Sequence, residues 1–159
     1  MTQDRGLTHV DETGAARMVD VSAKDATTRR AVASGKVLVS AEVVAALRGD
    51  GVPKGDALGV ARIAGIMGAK RTPDLIPLCH PIAITGAKVE LEVADDAVLI
   101  TAAVKTTDRT GVEMEALTAV AVAGLAVIDM VKALDPAAVL SDVQVERKEG
   151  GKTGLWERS

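Results

Sequence analysis

The stretch Ala87-Lys88-Val89-Glu90-Leu91-Glu92-Val93-Ala94 is followed by Asp95-Asp96, by an apolar run over 97–107, and by Gly111-Val112-Glu113-Met114-Glu115-Ala116 leading on to Leu134. In its first part Val89, Leu91 and Val93 alternate with Lys88, Glu90 and Glu92, the period of a strand with one buried face. Val98, Ile100, Ala102 and Val104 repeat that period across 97–107. Asp95-Asp96 between the two predicts a hairpin. From Gly111 or Val112 to Leu134 the residues favour a long helix, which Asp135-Pro136 ends.

Working outward, residues 139–147 predict a last strand through Val143 and Val145, and Gly150 opens a Gly- and Lys-bearing tail. Upstream, Pro77 and Pro81 keep 77–81 out of regular structure. Thr72-Pro73-Asp74 suits one helical turn, with Pro at its first position. Asp56 reads as the N-cap of a helix to about Lys70, with Leu58, Ala61, Ile63 and Ile66 as its apolar face and Gly59, Gly65 and Gly68 for close packing. Residues 48–55 form a loop, Ser40 caps a short helix over 41–47, and 27–40 read as a strand. An extended segment begins at Met18. The resulting order, β-α-β-β-α-β, predicts an α+β fold of the ferredoxin-like, split βαβ kind, an antiparallel sheet with both long helices on one face. The whole of 1–159 reads as a single domain, with a mobile opening (about 1–16) and a C-terminal tail (about 149–159).

Composition narrows the class. Hydrophobic residues make up 48% and charged residues 26%, as in a globular chain. Phe and Tyr are absent and Trp occurs once, so the core must come from Val, Leu, Ile, Ala and Met. Such a core buries little area per residue, which favours association. Between Ala116 and Ile128 apolar residues surround the long helix, which predicts a second cover from another subunit. That stretch falls short of the ~20 residues of a membrane span. A net charge of −3 argues against a general nucleic-acid binder. The single cysteine and the absence of an apolar leader at the start fit a cytoplasmic protein.

Generic motifs mostly fail. Gly150-Gly151-Lys152-Thr153 ends like a phosphate loop, but Glu146 stands where the first glycine is needed. His80 and Cys79 have only His9 as a further soft ligand, too few for zinc. Two readings stay open for His80, a ring held by backbone groups or an imidazole presented to substrate by a rigid loop. Cys79 reads as a small hydrophobe rather than a nucleophile. Glu113 and Glu115 suit a helix N-terminus, yet they diverge by about 200° around the helix, so at least one is free to face a site. Asp129 and Lys132 share a face at i and i+3; they read as a solvated ion pair at the helix end or, the reading favoured, as a semi-buried, mutually tuned pair. Lys54, before a helix start, would suit phosphate, but taken alone it reads as a solvated loop lysine. Lys24, Arg29 and Lys148 taken alone are surface charges.

Taken together, certain blocks say more. Leu75-Ile76-Pro77-Leu78-Cys79-His80-Pro81, Thr110-Gly111-Val112-Glu113-Met114-Glu115-Ala116-Leu117-Thr118 and Gly150-Gly151-Lys152-Thr153-Gly154 occur in that order. With Met18-Val19-Asp20-Val21-Ser22 and Ala61-Arg62-Ile63-Ala64-Gly65-Ile66, they closely resemble the cyclic pyranopterin monophosphate synthase family, the MoaC-type proteins, over nearly the whole chain. The resemblance implies a lyase of molybdenum cofactor biosynthesis. It implies that 3′,8-cyclo-7,8-dihydroguanosine 5′-triphosphate is converted to cyclic pyranopterin monophosphate with release of pyrophosphate. It also implies a homohexamer, a trimer of dimers with sites at subunit contacts. Asp129, Lys132 and Lys54 are the catalytic candidates it points to. Leu78, Cys79, His80, Glu113, Met114, Glu115, Lys148, Arg29 and Lys24 are the substrate-binding candidates. No metal ligand and no cofactor are implied, beyond a divalent ion on the triphosphate as an option. Glu149 beside Lys148 departs from the expected small polar residue and is placed to pair with it. Asp108-Arg109 also departs from the expected form. The competing classes are a non-catalytic nucleotide-sensing module of the same fold and a nucleotide phosphohydrolase, which would need clustered metal-binding carboxylates.

Overall fold

A computed structural model describes residues 8–159; part of the predicted mobile opening, 1–7, lies outside the described residues. The chain runs β1 (Thr27–Leu38), α1 (Ala41–Arg48), α2 (Ala57–Lys70), α3 (Thr72–Leu75), β2 (Ile84–Val93), β3 (Ala97–Asp108), α4 (Glu113–Val131), β4 (Val139–Glu149) and β5 (Trp156–Glu157). The strands form one sheet in the order β2-β3-β1-β4-β5, every pair antiparallel. β3 lies between β1 and β2, and β1 between β3 and β4, which is the interleaving of a split βαβ pair. α2 and α4 pack side by side, α4 over β1, β3 and β4, and α2 over β2.

Local chemistry explains the elements. The Ser40 side chain accepts from the Val43 amide and Asp56 from the Gly59 amide, so both predicted N-caps hold. In β1, Ala31, Ala33 and Val37 face the helices while Arg30, Val32, Ser34 and Lys36 alternate outward. The core is almost wholly Val and Ala around Ile100; among the described residues no leucine is fully buried. Small side chains bring the layers close. A Cβ at Gly35 would stand 2.7 Å from Val120 Cγ1, and one at Gly68 2.8 Å from Val122 Cγ2.

Several boundaries differ from expectation. β2 begins at Ile84 rather than 87, because its pairing with β3 continues through a bulge to Thr106. α4 ends at Val131, and 132–134 close as a turn in which the Leu134 and Asp135 amides both donate to the Val131 carbonyl. β4 runs on to Glu149, and the segment expected to be a tail folds back as β5, pairing Trp156 with Lys148. Within the predicted opening, 8–16 make a tight turn closed by a Val10–Ala16 bridge. The buried face of α2 is Ala57, Ala61, Gly65, Gly68 and Ala69; Ile63, predicted to face inward, is 62% exposed. The small residues win that face because only they let α2 approach α4.

α4 is apolar and long enough to cross a membrane by length and composition, yet half of it is buried inside the fold. Its all-round apolarity leaves Leu125 exposed on the outer helix layer, where Val60, Ile63 and Met67 of α2 are also exposed.

Candidate active site

The N-terminal end of α4 meets the irregular loop before β2 at a cavity of about 320 Å³. Leu78, Cys79 and His80 line it from the loop, Glu113, Met114 and Glu115 from the first turn of the helix, and Lys24 from the segment ahead of β1. Seven of the nine predicted binding residues therefore converge. The two carboxylates serve one space despite their divergence, because the cavity caps the end of the helix instead of flanking one side.

His80 Nε2 is hydrogen-bonded to the Val19 carbonyl. A carbonyl only accepts, so Nε2 carries a hydrogen, which leaves Nδ1 as the second ring nitrogen. The backbone-held reading of His80 is met, and the ring also lines the cavity. Glu115 is 3% exposed and its Oε2 has no partner among the described residues. Burial, reinforced by the charge of Glu113, pushes its pKa up to about 7, although its own backbone amide pulls the other way. A half-buried Glu113 carboxylate packs so close over Gly111 that any side chain at 111 would collide with it. The Cys79 thiol is raised by burial, then by Glu115 and Glu113, which keeps it protonated and fits the hydrophobe reading.

Arg29 and Lys148 are not among the residues that line this cavity. Arg29 donates from Nε to the Asp108 carbonyl at 3.2 Å and lies against Gly151, whose φ of +75° and lack of a side chain make room for the guanidinium. Lys148 Nζ is 3.8 Å from Glu113 Oε1. The expected pairing of Lys148 with Glu149 does not occur; Glu149 Oε1 takes Arg147 Nε at 2.7 Å and Arg30 at 3.6 Å, since neighbouring strand residues point to opposite faces. Beyond Glu113, a smaller cavity of about 280 Å³ is bounded by Val145, Lys148 and Trp156.

The predicted catalytic trio forms a separate cluster at the other end of α4. Lys54 Nζ and Lys132 Nζ both reach Asp129 Oδ1, at 3.0 and 2.9 Å. The two ammonium groups, Lys132 first, hold the Asp129 carboxyl below its ordinary range. Lys54 arrives from the 48–55 loop of the same chain, turned by Gly51 and Gly55 at φ +89° and +110°. The phosphate reading of Lys54 meets a carboxylate at that helix end, where Asp56 accepts from the Gly59 amide. The pair is also not semi-buried: the Asp129 and Lys132 side chains are 55% and 57% exposed. Asp129 and Glu113 are sixteen residues apart on α4, about 24 Å along a straight helix axis.

Sequence reasoning missed the wall contributed by Thr8, His9, Val19 and Val21. The Val19 contact is made by backbone, which no side-chain pattern announces. His9 was weighed only as a metal ligand. Among the described residues no group of three or more His, Cys, Asp or Glu is placed to hold a metal ion.

Comparison with known proteins adds to this geometry. The profile of the MoaC family matches residues 18–151. A cyclic pyranopterin monophosphate synthase of Streptomyces griseus is 75% identical over 158 residues, 99% of this chain and 89% of that protein. One from a Nocardioides species is 71% identical over 97% of this chain and 96% of its own length. Cyclic pyranopterin monophosphate synthase 2 of Mycobacterium tuberculosis is 58% identical over 96% of this chain and 91% of its own length.

Proposed function

The chain belongs to the MoaC family, and we propose that it is a cytoplasmic lyase that makes cyclic pyranopterin monophosphate for molybdenum cofactor biosynthesis. Its substrate is 3′,8-cyclo-7,8-dihydroguanosine 5′-triphosphate. The observation that carries the reading is the single cavity where the Cys79-His80 loop and the Glu113–Glu115 turn meet.

The chemistry is proton transfer and phosphoryl attack. The imidazole part of the purine opens, a pterin ring closes, and an internal hydroxyl attacks the α-phosphorus. The bond from that phosphorus to the bridging oxygen breaks and pyrophosphate leaves. Acids and bases suffice for the ring steps, and cations stabilise the departing pyrophosphate. Glu113 and Glu115 suit the N–H donors of the aminopyrimidinone edge. Lys24, Arg29 and Lys148 suit the triphosphate, and a divalent ion, if present, rides on it. Lys54 and Lys132 supply and remove protons, with Asp129 setting both.

A gap of about 24 Å along one helix exceeds the reach of a single nucleotide, so one chain holds two half-sites. We assign the complete site to a contact between two chains, the binding half of one against the catalytic half of the other. The exposed Val60, Ile63, Met67 and Leu125 support association, and a hexamer built as a trimer of dimers fits it. Incubating the protein with the cyclised GTP and assaying pterin and pyrophosphate tests the reading. Release of phosphate alone would indicate a phosphohydrolase, and binding without turnover a sensing module.

A further inference from the structure

The cavity at the head of α4 has a wall that belongs to no helix and no strand of the sheet. Residues 8–24 supply it, and they are tied down along their length. At the outer end, Asp11 Oδ1 accepts from the Thr13 and Ala15 amides at 2.8 and 3.0 Å and from the Thr13 hydroxyl at 2.6 Å. The Asp11 amide donates to the Ala15 carbonyl at 2.9 Å, and Gly14 takes the φ of +85° that the reversal needs. Arg17 then fastens the returning chain, its amide donating to the His9 carbonyl at 2.8 Å and its Nε to the Thr8 carbonyl at 3.4 Å. In the middle, the Val19 carbonyl takes His80 Nε2. At the inner end, Arg109 Nε donates to the Lys24 carbonyl at 3.0 Å.

This stitching holds the backbone of His9, while its imidazole makes no side-chain hydrogen bond among the described residues. The ring lines the cavity together with His80, Lys24, Glu113 and Glu115. A side chain able both to donate and to accept, presented on a fixed backbone to a cavity holding acids and bases, serves a ligand better than it serves the fold. We propose that His9 is a further substrate-binding residue, hydrogen-bonding the cyclised nucleotide in this cavity, and that the Asp11 turn positions it. The inference rests on the function assigned above and extends its binding half.

The test uses the full chain and two readouts. In steady-state assays with the cyclised GTP, His9→Ala loses about tenfold or more in kcat/KM, chiefly through KM. His9→Gln, which keeps a donor and an acceptor, recovers most of it. Asp11→Ala, which touches no part of the cavity, shows a smaller rise in KM. Values for His9→Ala within about twofold of the wild type overturn the proposal. Wild-type protein that makes no pterin overturns the assigned reaction, and His9 is then judged by the second readout. The chain has two histidines, so imidazole NMR separates His9 from His80, assigned with the His9→Ala variant. Saturating GTP should move both sets of resonances. Movement of His80 alone overturns the role of His9, and movement of neither overturns the cavity as a nucleotide site and the proposal with it.

Discussion

Glu115 combines almost complete burial, an unpartnered carboxylate oxygen and a pKa raised from 4.5 to about 7. Below the ordinary carboxylate range both the folded and the unfolded chain hold this proton. As pH rises toward 7, the unfolded chain releases it while the folded chain retains it, so the free protein loses stability over that window. Thermal unfolding of ligand-free protein from about pH 4.5 to 7 should show Tm falling from this source, and Glu115→Gln should flatten the slope. A slope unchanged in the variant would show that Glu115 is solvated. Substrate N–H donors favour the ionised form, so binding near neutrality should release a proton, measurable by calorimetry in buffers of different ionisation enthalpy. At the opposite end of α4, one oxygen of Asp129 holds both lysines. Asp129→Asn, Lys54→Ala and Lys132→Ala should each abolish pterin formation. The double variant Asp129→Asn/Lys132→Ala should be hardly worse than either single one, as for groups that act as a unit. Losses that multiply would mean independent roles, and near-normal turnover by a lysine variant would remove that lysine from the mechanism.

Among the elements, β1 and α4 depend most on what is missing from their side chains. Gly35 has no Cβ to meet Val120, so Gly35→Ala should overpack the sheet–helix contact and destabilise by about 1–3 kcal/mol in urea unfolding. A neutral result would mean that Val120 shifts freely. Strong periodicity and capping made the main elements legible in the sequence: the Val89-Leu91-Val93 alternation, and Ser40 and Asp56 as caps. β5 was not legible, because two residues cannot display a period; its register comes from the Arg147–Glu157 ion pair at 2.8 Å and the placement of Arg158 over the Trp156 ring. The inner face of α2 misled for a related reason. Hydrophobicity selected Ile63, whereas close approach to α4 selects glycine and alanine. The candidate binding residues were picked out through motif resemblance, and the fold brings seven of those nine to one cavity. The wall from 8 to 24 was not, since it is held by carbonyls and amides that every sequence possesses.

For the molecule as a whole, the proposed function requires the two clusters at opposite ends of α4 to act on one substrate. A two-fold axis that lays two chains together antiparallel brings the Glu113 end of one beside the Asp129 end of the other, and symmetry then makes two equivalent sites per pair. Sedimentation should show a stable oligomer, a hexamer by this reading, and a well-folded monomer at micromolar concentration would sink it. Subunit mixing is the sharper measurement. Lys132→Ala spoils the catalytic half and spares the binding half, while His80→Ala does the reverse. Each homo-oligomer should be inactive. If the two are unfolded together and refolded in equal amounts, half of the pairs are mixed, and each mixed pair has one site with both halves intact and one with both damaged. Activity should return to about a quarter of the wild-type value. Two variants whose sites lay within single chains would stay inactive at every mixing ratio, and the assignment of the site to a subunit contact would then be lost, while the cavity and the lysine–aspartate cluster of each chain would still stand.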